Sequence, residues 1–124
     1  TRYEVIEGKR QATQFYYVRE QAEVKAKLFK QALSDIDIAI YLAPDETSFK
    51  AEKASLQLRL NLISEAMQTA EQCVKEAPDY SDGYLILGLA QINSGKKEEG
   101  LANLDKAKNL GNSQATSLIE KYKK

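Results

Sequence analysis

The sequence predicts an all-α solenoid of three helix-turn-helix repeats followed by a C-terminal capping helix. Three observations predict it. Small and apolar residues recur at a spacing of 34: Ala32, Ala66 and Gly100; Ala39, Cys73 and Ala107; Ala22, Leu56 and Ala90. Pro44 and Pro78 stand at the same interval. Between these marks, apolar residues return at three- and four-residue steps, which is one face of a helix. A unit of this length is a helical pair that cannot bury its apolar face alone, so it must stack on its neighbours.

In register, the repeats occupy residues 13–46, 47–80 and 81 to 111 or 112, with a capping helix over 112–124. Residues 1–12 stand outside the period. Their apolar Tyr3, Val5 and Ile6 suit a truncated upstream helix, an extended segment or a tail on the array. Gly8 favours a break and an early start of the first helix over one helix running on from Thr1.

In the first unit Gln14 to Ala26 and Lys30 to Leu42 are free of Gly and Pro, and Ala32, Ile36, Ala39, Ile40 and Ala43 make one face. Leu56, Leu60, Ile63, Ala66, Ala70, Cys73 and Val74 repeat it in the second unit. Leu87, Ala90, Leu101, Leu104, Ala107 and Leu110 repeat it in the third. Each closing proline lacks an amide hydrogen and pushes the residue before it out of the helical region, so the second helix of the pair stops there. The polar residues of Asp45-Glu46-Thr47 and Asp79-Tyr80-Ser81 are expected to cap the helices that follow. Within the pairs, Gly95 and Asn61 suit a left-handed turn better than Lys27 does, so the first turn is expected to be built differently. After Gly111-Asn112-Ser113, the residues Ala115, Leu118, Ile119 and Tyr122 form the stripe of an amphipathic helix, the device that closes the open edge of a solenoid. That end is expected to be the native C-terminus.

At 124 residues the chain fits one domain that buries roughly two-thirds of the surface its unfolded form exposes. Lysine plus arginine equals aspartate plus glutamate at 18 each, so no net field favours nucleic acid or an anionic membrane. No apolar run is long enough to span a bilayer. One cysteine, Cys73, rules out an internal disulfide and leaves the compartment of a soluble chain open between cytoplasm and periplasm. Thr1 in place of an initiator methionine leaves room for a signal peptide or lipid anchor removed upstream.

These residues resemble the tetratricopeptide repeat family over Thr13 to Leu110. The resemblance rests on small residues midway along the first helix of a pair (Ala54 and Gly88, with Tyr84 and Leu87 beside Gly88), small residues twice in the second helix (Ala32 with Ala39, Ala66 with Cys73), and the closing prolines. Close helix crossing requires them, because overpacking there costs about 1–3 kcal/mol. The first unit departs from the pattern: Glu20 holds the slot of Ala54 and Gly88. Either that pair is splayed, or Glu20 reaches an arginine such as Arg19, or solvent. Asn112 in place of a third proline and Gly100 in place of an alanine read as changes tolerable at the end of an array.

The absence of histidine excludes His-dependent triads and His-containing metal sites. Cys73 sits in a small-residue slot and reads as a core thiol. Asp35 with Asp37, Asp79 with Asp82, and Glu98 with Glu99 read as capping or solvated acids, and the lysines are interleaved with acids. The expectation is a noncatalytic protein without cofactor, metal or nucleic-acid partner.

The resemblance implies that the first helix of each pair lines a concave groove. It presents Gln14, Tyr17, Gln21, Val24 and Lys25 from the first unit, Ser48, Ala51, Ser55, Leu58 and Arg59 from the second, and Asp82, Leu85, Leu89, Ile92 and Asn93 from the third. Tyr17, Gln21, Lys25, Ser55, Arg59, Leu85, Leu89 and Asn93 are the candidate binding residues, with Tyr17 and Arg59 the expected anchors. Leu85, Leu89 and Ile92 equally suit packing against the capping helix. One branch of the family clamps the C-terminal carboxylate of heat-shock chaperones; the corresponding sites here hold Tyr17, Gln21, Glu52, Asp82 and Ile86, and two acids repel that ligand. The implied function is a scaffold holding a peptide or helix of a protein partner; the alternative is a structural or self-associating array that uses the N-terminal edge near Tyr3, Tyr16 and Glu20.

Overall fold

A computed structural model describes all 124 residues as seven helices without strands: α1 (Arg2–Lys25), α2 (Phe29–Leu42), α3 (Thr47–Arg59), α4 (Ile63–Glu76), α5 (Ser81–Asn93), α6 (Lys97–Asn109) and α7 (Ser113–Lys123). Each helix packs on the next, and α3 also touches α5, as in a stack of hairpins. No helix is long and apolar enough to cross a membrane.

The break expected at Gly8 is absent. α1 runs unbroken through it, and its start carries a reciprocal cap in which the Glu4 amide donates to Thr1 Oγ1 at 3.2 Å. Glu7 and Arg10 pair one turn apart at 2.7 Å on the same segment. One exposed glycine costs a helix about 1 kcal/mol, which a cap and a side-chain pair offset.

The three turns within pairs are alike, against the expectation for the first. Lys27, Asn61 and Gly95 all adopt positive φ, at 62°, 63° and 93°. In each, the amide two residues after the helix's cap closes on a carbonyl five residues back: Leu28 on Glu23, Leu62 on Gln57 and Lys96 on Gln91, all at 2.8 Å. The demand for this closure outweighs the local preference of lysine.

The caps expected after the prolines do not form: no side chain accepts from the first turn of α3 or α5. Backbone turns supply part of the pairing, with the Phe49 amide donating to the Glu46 carbonyl at 3.1 Å and the Gly83 amide to that of Tyr80 at 3.2 Å. Asn112, in the slot of the third proline, does cap. Its Oδ1 accepts from the Gln114 amide at 3.0 Å while its Nδ2 donates to Asp82 at 2.8 Å, fixing α7 against the start of α5.

The core falls into three clusters that each join one hairpin to the next element. Ala32, Ile36, Ala39, Phe49 and Leu56 form one cluster, Ala54, Ala70 and Leu87 a second, and Tyr84, Leu85, Leu104, Ala107 and Ala115 a third, with Leu89, Ile92, Leu118 and Ile119 packed on the third. Leu85, Leu89 and Ile92 thus share a cluster with α7 residues.

Glu20 reaches neither Arg19 nor solvent. It is fully buried; Gln21 Nε2 donates to one of its oxygens at 2.6 Å, and the other oxygen has no partner. Arg19 turns instead to Asp35 on α2, with Nε 2.7 Å from Oδ2. Burial, and next the charge of Glu52, push the Glu20 carboxyl up to about 7.

Candidate functional site

On α3, Ser48, Ala51, Glu52 and Ser55 follow the three- and four-residue steps of one helical face; on α5, Asp82, Leu85 and Ile86 do the same. These two faces, with Tyr17 of α1, Tyr80 at the cap of α5 and Gln114 of α7, line an open cavity of about 350 Å³. Three of the lining residues are register equivalents, since Tyr17, Ala51 and Leu85 are spaced by 34.

Packing fixes the tyrosines. The Tyr17 ring lies against Phe49 with centroids 5.1 Å apart. Tyr80 donates its hydroxyl to Asp82 Oδ2 at 3.3 Å, and burial, followed by the Asp82 charge, pushes its phenol up to about 12. Tyr80 therefore stays a neutral donor at physiological pH. The lining combines hydroxyls, an amide, two carboxylates and a modest apolar floor, a surface suited to holding a chain segment by hydrogen bonds and side-chain contacts.

Of the expected binding residues, the cavity brings together Tyr17, Ser55 and Leu85. Gln21 is engaged with Glu20. Lys25, Arg59 and Asn93 are the last residues of α1, α3 and α5, so they line up along the turns instead. The Arg59 guanidinium lies over the Phe29 ring, 5.2 Å from its centroid, at the start of α2. Leu89 packs on the core cluster shared with α7. Glu52 and Ile86 enter from positions read from the sequence only as slots of a carboxylate clamp, and Asp82 from one read both there and on the groove face of the third unit. Tyr80 was read only as part of the capping segment Asp79-Tyr80-Ser81, and Gln114 was absent from that reading because its place depends on α7 folding back, which Asn112 enforces.

The helical pairs, the period of 34, the small residues at the crossings and the groove across first helices define the architecture. It is the tetratricopeptide-repeat fold. The TPR domain of Arabidopsis OM64 superposes with a TM-score of 0.85 at 20% identity, over 93% of this chain and 97% of that one. The first TPR of Spaghetti (RPAP3) bound to the HSP90 peptide SRMEEVD superposes at 0.82 with 19% identity, covering 91% of each chain. The Sgt2 TPR domain from Aspergillus fumigatus gives 0.83 at 18% identity, over 90% and 76%. Among curated proteins, the small glutamine-rich tetratricopeptide repeat-containing protein 2 of Saccharomyces cerevisiae is 27% identical over 95 residues, 77% of this chain. The chain spans 28% of that relative's length. No family model matches the sequence.

Proposed function

We propose that this chain is a noncatalytic interaction module that holds a segment of a protein partner in the groove across α1, α3 and α5. The carrying observation is the cavity itself: residues from three successive first helices and from α7 converge on one open concavity with both donors and acceptors left accessible. Two structural neighbours support the reading by their bound segments, the HSP90 peptide on RPAP3 and a Hsp70 complex of the TPR2B domain of yeast Sti1. Affinity capture comparing the unaltered chain with Ser55→Arg, which fills the cavity from an incompletely buried position, tests it. Loss of a specific partner with circular dichroism unchanged is the expected result; a full set of retained partners refutes the groove.

A second reading, self-association through the N-terminal edge, draws on one observation. Phe15 and Phe49 are register equivalents, yet Phe49 is buried against the first hairpin while Phe15 is 57% exposed and Val18 beside it 53%. A sedimentation mass that stays monomeric at high concentration excludes it.

A further inference from the structure

The groove carries a charge that the chain as a whole does not. Formal net charge is zero, yet the lining includes Glu52 and Asp82 and neither lysine nor arginine. Nearby cations are committed elsewhere: Lys50 to Glu76, Lys53 to Asp37, Arg19 to Asp35, and Arg59 to the Phe29 ring. None of the five ion pairs includes Glu52 or Asp82. Asp82 is oriented by Asn112 and Tyr80 but not neutralised. Beside Glu52 lies the fully buried Glu20, whose carboxyl is raised by burial and next by the Glu52 charge.

We propose that the groove selects a basic segment of its partner, in which a lysine or arginine head enters the cavity shared by Glu52 and Asp82 while its stem lies along Leu85, Ile86 and Tyr17. This inference rests on the groove reading above. Lysine and arginine bury an aliphatic stem and keep a charged head for acceptors, which is the division of the lining here. Unpaired carboxylates form short charge-assisted bonds with such a head, and a concave wall concentrates their field. The same two carboxylates reject an acidic segment, which sets this groove apart from one that takes SRMEEVD.

The test is an array of capped octapeptides in three equal classes: carrying lysine or arginine, neutral, and carrying aspartate or glutamate. It is probed with the unaltered chain, Glu52→Gln and Ser55→Arg. Expected are binders from the basic class that weaken about tenfold in Glu52→Gln, the scale of one charge-assisted bond, and weaken further with added salt. Neutral or acidic binders lost in Ser55→Arg but untouched by Glu52→Gln overturn the basic specificity and leave the groove as the working site. Basic binders unchanged in both variants, or no binders in any class, overturn the inference together with the groove reading.

Discussion

Gly88 and Gly100 meet face to face where α5 crosses α6: a Cβ on Gly88 would lie 2.7 Å from the Gly100 carbonyl oxygen, and one on Gly100 2.6 Å from that of Gly88. Gly100 is therefore the required complement of Gly88 and not a change that the end of an array merely tolerates. The second unit fills the same pair of slots with Ala54 and Ala66, both fully buried. Because these neighbours are backbone oxygens, Gly88→Ala or Gly100→Ala must spread the two helices, costing about 1–3 kcal/mol. Urea unfolding should show the loss with native helicity retained. The double variant should cost less than the sum, since one spreading serves both methyls.

Glu20 and Glu23 make stability fall toward alkaline pH. Both carboxyls are raised in the folded state, Glu20 by burial and Glu52, Glu23 by burial and Asp35 against the opposing Arg19 charge. Such groups contribute stability that is complete below the ordinary carboxylate value of 4.5 and is lost as pH climbs through about 7. Asp35, held low mainly by its hydrogen bond from Arg19, and Glu76, held low mainly by that from Lys50, work the other way: their contribution is lost as pH falls below the carboxylate range. The unfolding midpoint is expected to peak in mild acid, about pH 5–6. Glu20→Gln keeps the volume and removes the titration, so it should raise stability at pH 8 by about 1–2 kcal/mol and change little at pH 5. An equal effect at both values would show that Glu20 does not titrate.

Lys27 is the only lysine among the four left-handed turn residues, at φ 62°. A side chain there costs roughly 1 kcal/mol that glycine avoids. Lys27→Gly should stabilise the chain by about 0.5–1 kcal/mol, less than the full relief because glycine gains entropy in the unfolded state. Asn61→Gly should gain less, since asparagine tolerates this region. Thermal unfolding of the two variants side by side checks the order.

The repeat was legible because its causes are local. Pro44 and Pro78 stop helices wherever they fall, and a small residue such as Ala54 states that another helix is near. Gly8 misled for the same reason: its penalty is local, while the cap from Thr1 that offsets it lies seven residues away. Lys27 and Glu20 misled because the turn closure and the hairpin contact are imposed by the rest of the pair. In the groove, Tyr17, Ser55 and Leu85 follow from helical register. Lys25, Arg59 and Asn93 share that register but sit where the helices end, and Gln114 arrives through a turn whose hydrogen bonds no periodicity encodes.

Cys73 is expected to be chemically silent until the fold opens. It is fully buried in the slot that Ala39 and Ala107 hold in the other units, and a Cβ on Gly83 would lie 3.1 Å from its sulfur, so α5 closes over the thiol. Burial, followed by the Glu76 charge, pushes its pKa up, which lowers the thiolate fraction further. Iodoacetamide at pH 8 should therefore leave the native chain unlabelled and modify it at the rate of unfolding in urea. Cys73→Ala should cost less than about 2 kcal/mol, as the neighbouring units already accept alanine there. Cys73→Ser should cost more than Cys73→Ala if its hydroxyl finds no partner, because an unsatisfied buried hydroxyl adds about 1–3 kcal/mol. Stoichiometric labelling of the folded chain would instead mean that α4 and α5 part readily, and the groove beside them with it.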